Sequence, residues 1–486
     1  MVPAPGNGRA PPFGAELKWV GWNALHSNRF RYYKLSFMQV PNDPMLASSQ
    51  SSWHFRCNLL VPLAGLALIT WPTALHAQSI DFYFPSGIGG YDQQLGVTVQ
   101  SRDRPLYAPP GIMADGFNIS PKLDQSVFYN SNPNGMSGQG SWGSRTSASV
   151  SASSLWSRNS LALSLGMETD QYFTLPSLDH TNWNIGLGGG YTIGDSQLML
   201  TYSHQNYFQL PTSLGVVQTQ TPILAQTDTT QVSYSFDFGR FTVTPDLSAS
   251  RYQFGTATVA NVILDQKYLD RNSLAAGVTT RYSMNDAGGL LVVLRGIDDT
   301  YVNPQAGAPS NDSTNFMLLG GIDYQAEGVW RYRVLVGVEE TTFRAAQYGS
   351  NTSPIAQAST VWTPSGQLTL TGTVARGIQA PQSAGNSGFV LTSANLVVDY
   401  EYMRNILLQL RGGAQMAQYL QGGGQSNFTG GAGITWLLNR NLRLSFDLDF
   451  VEQTAATNPS TPLNPNTLTI GHYNQSVAAI TLHVAL

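Results

Sequence analysis

Residues 78–486 contain few side chains that could take part in catalysis. Their histidines are His180, His204, His472 and His483, and the spacing fits no metal-binding motif. His472 and Ser476 share one face of a predicted strand, but four residues of strand span about 13 Å, which is too far for a base to activate a nucleophile. The sequence therefore predicts no enzyme, no catalytic residue and no cofactor.

Two other local patterns could bind a ligand. Asp447 and Asp449, two positions apart, could hold a cation, but such a pair on a wet strand face is more commonly only solvated. The stretch GLGGGY (186–191) lacks the Gly-Lys-Ser/Thr ending of a phosphate-binding loop. Neither pattern predicts a metal or nucleotide site.

The acidic pair belongs to the stretch NLRLSFDLDF (441–450), which alternates strictly between apolar and polar residues. Because successive side chains of a strand point to opposite faces, this strand meets an apolar medium on one side and water on the other. A soluble sandwich and a membrane barrel both satisfy that requirement.

Composition favours the membrane. Only 11% of the residues are charged, where about 25% is usual for soluble domains, and 42% are hydrophobic. Yet the only apolar run that approaches the roughly 18 residues of a membrane helix is Asn58–Ala77. A helical membrane protein is therefore not expected.

The run Asn58–Ala77 resembles a secretory signal. It follows Arg56 and ends in Ala-Leu-His-Ala, which predicts cleavage after Ala77. An uncleaved anchor helix is the alternative, and Pro62 and Pro72 disfavour it. Met45 would give a leader of ordinary size, so residues 45–77 are the predicted signal peptide and residues 1–44 a misassigned or disordered extension.

Removal of the signal also changes the charge and the cysteine content. The sole cysteine, Cys57, would be lost, which leaves no disulfide or thiolate chemistry. Residues 1–77 carry six Lys or Arg and two acidic residues, so the formal net charge moves from -4 to -8. Nothing in this balance favours nucleic acid as a partner.

The chain from Phe117 onward is a series of segments with period-two patterning. Eight tight turns alternate with nine longer polar connections, which predicts about 18 strands (16–18) of about 9–14 residues, with both termini on the tight-turn side. We therefore expect an all-β fold: a transmembrane, antiparallel, up-and-down β-barrel over residues 117–486. Residues 78–116 would precede it as an extended segment in the periplasm or the lumen.

Aromatic residues recur beside the tight turns, about one per turn. Such rings collect at membrane interfaces, so they are candidates for a girdle, although aromatic residues are frequent throughout the chain at 11%. These candidates are Trp156, Tyr191, Phe238, Tyr282, Trp330, Trp362, Tyr402 and Trp436.

The last segment, AAITLHVAL, alternates up to the terminal Leu486. It resembles the C-terminal strand that outer-membrane proteins present to the barrel-assembly machinery, with Leu486 in place of the usual aromatic residue. This resemblance implies that machinery and outer-membrane lipid as partners.

The segment GVTVQSRDRPLYAPPGI (96–112) and the following GFNISPKLDQSVFYNSN (116–132) resemble the start of the outer-membrane β-barrel porins of α-proteobacteria described as β-barrel porin 2-like. The matching positions are Gly96–Val99, Arg104-Pro105, Tyr107, Pro109, Gly111-Ile112 and Asn132. The resemblance implies a barrel in the outer membrane of a Gram-negative bacterium. Some members are linked to exopolysaccharide or capsule systems, so it implies fold and location better than cargo.

If the apolar face meets lipid, residues of opposite parity line the pore, where fixed charges set ion and solute selectivity. The predicted inward-facing residues are Arg281, Arg295, Arg331, Arg333, Arg411, Arg443, Asp246, Asp323, Glu339, Asp447 and Asp449. They could equally pair with one another and stiffen the wall.

Three functions fit these features. A porin-like channel for passive diffusion of small hydrophilic solutes is favoured, because the long connections hold few aromatic residues beyond Trp142 and Tyr348 for stacking a sugar. A conduit in polysaccharide export and a structural barrel without transport remain alternatives. The sequence does not indicate the oligomeric state.

Overall fold

The computed structural model describes residues 97–135, 138–214, 219–259, 261–305, 307–324, 329–381, 387–455 and 472–486. The predictions for residues 1–44, for the signal peptide at 45–77 and for residues 78–96 lie outside this range. No helix in the described part of the chain is long and apolar enough to cross a bilayer.

The described residues form twenty-one strands and two short 3₁₀ turns, Pro176–Leu178 and Lys267–Leu269. In chain order the strands are β1 (Ile112–Ala114), β2 (Phe117–Asn130), β3 (Ser141–Ser154), β4 (Ser160–Tyr172), β5 (His180–Ile193), β6 (Ser196–Gln209), β7 (Ile223–Asp237), β8 (Phe241–Phe254), β9 (Thr256–Val259), β10 (Val262–Asp265), β11 (Arg271–Ser283), β12 (Gly288–Tyr301), β13 (Ser313–Tyr324), β14 (Trp330–Phe343), β15 (Ser350–Ser365), β16 (Leu368–Gln379), β17 (Phe389–Met403), β18 (Ile406–Tyr419), β19 (Gly424–Leu437), β20 (Leu442–Gln453) and β21 (Tyr473–Ala485).

Eighteen of these strands, β2–β8 and β11–β21, form one closed antiparallel barrel. Each strand pairs with the next along the chain, and β21 returns to pair with β2 over Lys122–Asn130. Strands β9 and β10 form a separate hairpin within one of the long connections, and β1 adds to the start of β2. The predicted up-and-down barrel of about 18 strands is confirmed.

The connections divide into two ends. At one end, which we call the tight-turn end, eight connections have two to five residues, and both β2 and β21 begin or finish there. Gly194 and Gly239 adopt φ values of +62° and +80° in two of these turns, a conformation that glycine reaches without steric cost. The other end, the long-loop end, has nine connections of four to nineteen residues.

Two details differ from the sequence prediction. The barrel strands have 12–16 residues rather than 9–14. They are longer because pairing continues towards the long-loop end after the outward side chains have become polar, as at His204 and Asp228. The connection between β18 and β19, residues 420–423, is as short as a tight turn, so short and long connections do not alternate strictly.

The two faces of the wall follow the predicted parity. On β14, Val334, Val336 and Val338 are exposed on the outer face, while Arg333 and Glu339 are buried on the inner face. The same alternation holds on β20, where Phe446 is exposed and Ser445 is buried. An apolar outside and a largely polar inside are what a barrel in lipid requires.

One part of the inner wall departs from this rule. A buried apolar cluster occupies the inner face of β12–β15 and consists of Leu291, Val293, Met317, Leu319, Leu335 and Ile355. Leu335 lies over Gly321, where the space for a Cβ atom is already filled. The signal for this cluster was the run GLLVVL (289–294), which is apolar on both faces as in a strand buried on both sides.

Candidate functional site

The inner wall of the barrel carries the charged residues, so it is the candidate functional site. All eleven residues predicted to face inward lie on this wall. The structure brings most of them into hydrogen bonds or ion pairs rather than leaving them as isolated charges.

The largest of these groups joins β18 to β20. Arg411 donates through Nη2 to Asp447 at 3.1 Å and to Asp449 at 2.9 Å, and through Nη1 to Gln409 at 2.7 Å. Its guanidinium therefore lies where a cation would have to bind between the two carboxylates. The acidic pair is held by Arg411 and is not an open metal site.

Two further groups connect neighbouring strands on the opposite part of the wall. Arg281 donates through Nε to Asp323 at 3.0 Å. Arg295 donates to Ser248 at 3.3 Å, one alternate position along β8 from Asp246. These contacts fix long side chains against the wall and leave space in front of it.

Glu339 reaches over β15 and accepts a hydrogen bond from the backbone N–H of Ile378 at 3.0 Å. Arg333 is buried and also has a polar or ring partner. Arg331, by contrast, has no ion pair within the described residues. Of the predicted pore-lining arginines, it is therefore one whose charge no described carboxylate balances.

The tight-turn end of the inner wall carries a piece of the chain that precedes the barrel. Val99 is fully buried between Leu407 and Leu437, and its backbone N–H donates to Thr369 Oγ1 at 3.1 Å. Arg104 donates to Glu401 at 2.7 Å, and Arg102 pairs with the same carboxylate at 3.5 Å.

The same piece is also held by its backbone. Arg102 donates to the carbonyl of Gly366, and Arg443 donates to the carbonyl of Tyr107 at 3.5 Å. Residues Val97–Gly111, which we call the inner segment, thus contact β16–β20 from inside the barrel. The sequence indicated only that this segment precedes the first strand, since its partners are some 260–340 residues away.

The long-loop end carries two groups that the sequence did not indicate. On β3–β5, Arg145 forms a two-point hydrogen bond with Asp170, at 2.6 and 2.5 Å, with Glu168 at 3.8 Å on its other side. His180 Nε2 lies 3.8 Å from the same Asp170. These residues are far apart in sequence and meet only through the register of the strands.

The second group surrounds Arg271, the first residue of β11. Its guanidinium lies 4.0 Å from the ring centre of Tyr252, and Tyr252 and Tyr301 are its partners on the two neighbouring strands. Tyr207 and Tyr268 pack in the adjoining apolar cluster. The tyrosines come mainly from strand ends, which is why a survey of the long connections alone missed them.

The eight predicted girdle residues lie at the tight-turn end. Seven are more than 40% exposed in the isolated barrel, and Tyr282 is half-buried against Phe241. Trp330 and Trp362 are direct cross-strand partners. This arrangement is compatible with a ring of interfacial side chains, and that role remains a prediction.

Comparison with known proteins adds the following. Residues 104–470 match the model of the family described as Putative beta-barrel porin 2. No curated protein sequence matches the chain significantly.

Among solved structures, the chain is similar to the outer membrane protein OpdK of Pseudomonas aeruginosa, with 11% identity and a TM-score of 0.41 over 76% of this chain and 99% of that one. A BenF-like porin from Pseudomonas fluorescens has 9% identity and a TM-score of 0.41 over 76% and 99%. Likeness at this level gives no information about the solute. The family match covers most of the chain, and the protein belongs to the putative beta-barrel porin 2 family as a porin-like barrel of the outer membrane.

Proposed function

We propose that the protein is a channel for the passive diffusion of small hydrophilic solutes across the outer membrane. The observation that carries this proposal is the closed wall of eighteen strands with an apolar outer face and fixed charges of both signs on its inner face. Barrels of sixteen to eighteen strands are wide enough for an aqueous path. Diffusion through such a path needs no catalytic residue and no cofactor.

Charge pairing supports a channel of weak rather than strong ion selectivity. Arg411 and Arg281 are each matched by carboxylates on the same wall, so their fields largely cancel at a distance. The eleven inward-facing residues would therefore act as a mixed lining, with Arg331 as a contributor of uncompensated positive charge. Partly paired charges at close quarters still bias which solutes pass.

Export and assembly follow the same scheme as a proposal. The signal peptide would be removed after Ala77 and the last strand, Tyr473–Ala485, would present its alternating outer face to the barrel-assembly machinery. That face carries Ile480 and Leu482, both exposed in the isolated barrel. Outer-membrane lipid would then cover it.

A conduit in polysaccharide export is the second candidate, and one observation favours it. The inner segment lies against the inner wall at the tight-turn end, which is what a path kept narrow until a partner binds would need. A diffusion channel can carry the same segment as a permanent constriction.

Conductance measurements separate these candidates. The purified, folded protein is added to a planar bilayer, and single-channel current is recorded in salt. A diffusion channel gives stable steps whose size rises with salt concentration. A folded barrel that inserts without giving current steps would contradict the diffusion channel and favour the conduit or a structural role.

A further inference from the structure

The long-loop end of the inner wall contains polar atoms without partners in a setting that is otherwise closely packed. Arg271 is only 9% exposed, and within the described residues its guanidinium donates no hydrogen bond and has no ion pair. Its Nη1 atom in particular is buried and unpartnered. A buried guanidinium without an acceptor is costly, so natural structures rarely leave one unless something else supplies the acceptor.

A second unpartnered atom lies nearby and has the opposite hydrogen-bonding character. Asn311 Oδ1, in the connection between β12 and β13, is buried and accepts no hydrogen bond from the described residues. Asn311 lines an open cleft of about 310 Å³ together with Tyr268, Tyr301, Gln305 and Tyr348. We call this space the tyrosine cleft.

Tyr301 connects the two observations. It is the cross-strand partner of Arg271 and it also borders the tyrosine cleft. Its backbone is held by Asp312, whose carboxylate accepts the Tyr301 N–H at 2.7 Å. The unpartnered donor and the unpartnered acceptor therefore lie on either side of one fixed aromatic residue.

The two orphan atoms define what a ligand must offer. It must accept a hydrogen bond from Arg271 and donate one to Asn311, and a hydroxyl group does both. A carboxylate would offer acceptors only. The acidic side chains close to Arg271 also oppose an anion, since Asp299 lies on the same inner face of β12 and Asp270 directly precedes Arg271.

The aromatic residues define the body of the ligand. Tyr268, Tyr301 and Tyr348 present rings with few other polar groups, and pockets that bind small molecules are commonly lined in this way. The cleft volume is at the lower end of the roughly 300–1,000 Å³ of such sites. A ligand of this size with several hydroxyl groups and apolar C–H faces is a mono- or disaccharide.

We propose that Arg271, Asn311 and the tyrosine cleft form a binding site for a small neutral sugar at the long-loop mouth of the channel. This inference rests on the proposed channel function, because it identifies the class of solute that enters from this side. It also replaces the expectation that no sugar-stacking surface is present.

The test uses the full-length barrel in a planar bilayer with maltose as the probe. Maltose added on the long-loop side should reduce the conductance in a saturable manner. Arg271→Met and Asn311→Ala should each weaken this block by roughly tenfold or more, as expected for loss of a buried hydrogen bond. Arg440→Met is the matched control, since it removes one positive charge from an exposed tight turn and should leave the block unchanged.

The outcomes separate the site from the channel. A conducting channel that maltose does not block, or whose block is the same in Arg271→Met, overturns the sugar site and leaves the channel intact. Stronger block by gluconate than by maltose overturns the neutral class of ligand. If no conductance is seen, the proposed channel fails, and maltose binding to the heat-modifiable protein in detergent is then measured by calorimetry, where the absence of binding overturns the site. Asn311→Ala changes only a loop, so it remains informative if Arg271→Met fails to assemble.

Discussion

The two mouths of the barrel treat charged residues in opposite ways. At the tight-turn mouth, Glu401 is matched by Arg102 and Arg104, and the inner segment is held by side chains and backbone alike. At the long-loop mouth, Arg271 is just as buried but has only an aromatic ring as a partner.

The difference indicates how each mouth is used. Buried polar groups whose hydrogen bonds are complete rigidify the structure around them, whereas a buried group left incomplete is available to a ligand. The tight-turn mouth is therefore built to hold a piece of this chain in place. The long-loop mouth is built to receive something that does not belong to the chain.

Damage to the wall that both mouths share should have the largest effect. Phe446 lies on the outer face of β20 and is 43% exposed in the isolated barrel. Phe446→Arg would place a charge against lipid and should cost about 2–4 kcal/mol near the bilayer midplane. Unfolding in urea with lipid vesicles, followed by the heat-dependent gel shift, measures this loss.

The neighbouring inward residue supplies the control for that measurement. Asp447→Asn changes a group that only shares Arg411 with Asp449, so assembly should be retained. If Phe446→Arg assembled as well as Asp447→Asn, the outer face of β20 would not be in lipid.

The tight-turn mouth alone should respond to loss of Glu401. Glu401→Gln removes the carboxylate that two arginines share and should weaken docking of the inner segment by about 1–3 kcal/mol. Cross-linking measures this directly, because residues 58–486 contain no cysteine. Val99→Cys with Thr369→Cys should be joined efficiently by a short thiol reagent, and less so when Glu401→Gln is added.

Maltose block provides the comparison between the mouths. It should be the same in Glu401→Gln as in the unsubstituted protein, while the conductance becomes larger or noisier. Equal cross-linking with and without Glu401 would show that the ion pairs do not hold the segment.

Much of the fold could be predicted from local sequence. Period-two patterning and turn chemistry are local properties, and they indicated the closed barrel, the number of strands and the inner position of residues such as Arg411 and Glu339. The strand ends were less predictable because outward polar residues such as His204 and Asp228 break the pattern while the ladder continues. The length of each strand depends on its neighbours.

The arrangement of the inner wall could not be predicted in the same way. Arg411 meets Asp447 across an intervening strand, and Val99 meets Thr369 across 270 residues. Tyr252 and Tyr301 flank Arg271 only because of the register of three strands. Parity shows which face a side chain lies on, but contacts between strands decide whether its charge is paired.

A smaller effect is expected from the paired charges between the two mouths. Arg411→Met would leave Asp447 and Asp449 without their shared cation and should shift the permeability towards cations by about twofold to fivefold, or about 0.4–1 kcal/mol. Reversal potentials in a salt gradient measure this shift. Arg440→Met, in an exposed turn, should change it much less, and an equal shift in both variants would mean that the Arg411 group does not face the solute path.

The smallest change should come from salt, and it separates the wall charges from the long-loop mouth. Between 0.1 M and 1 M salt the Debye length falls from about 10 Å to about 3 Å, so the difference in ion selectivity between Arg411→Met and the unsubstituted protein should shrink. Maltose block should persist, because a neutral sugar bound by hydrogen bonds and ring contacts is not screened. If the block were lost in step with the ion selectivity, the long-loop mouth would act through charge, and its contrast with the tight-turn mouth would not hold.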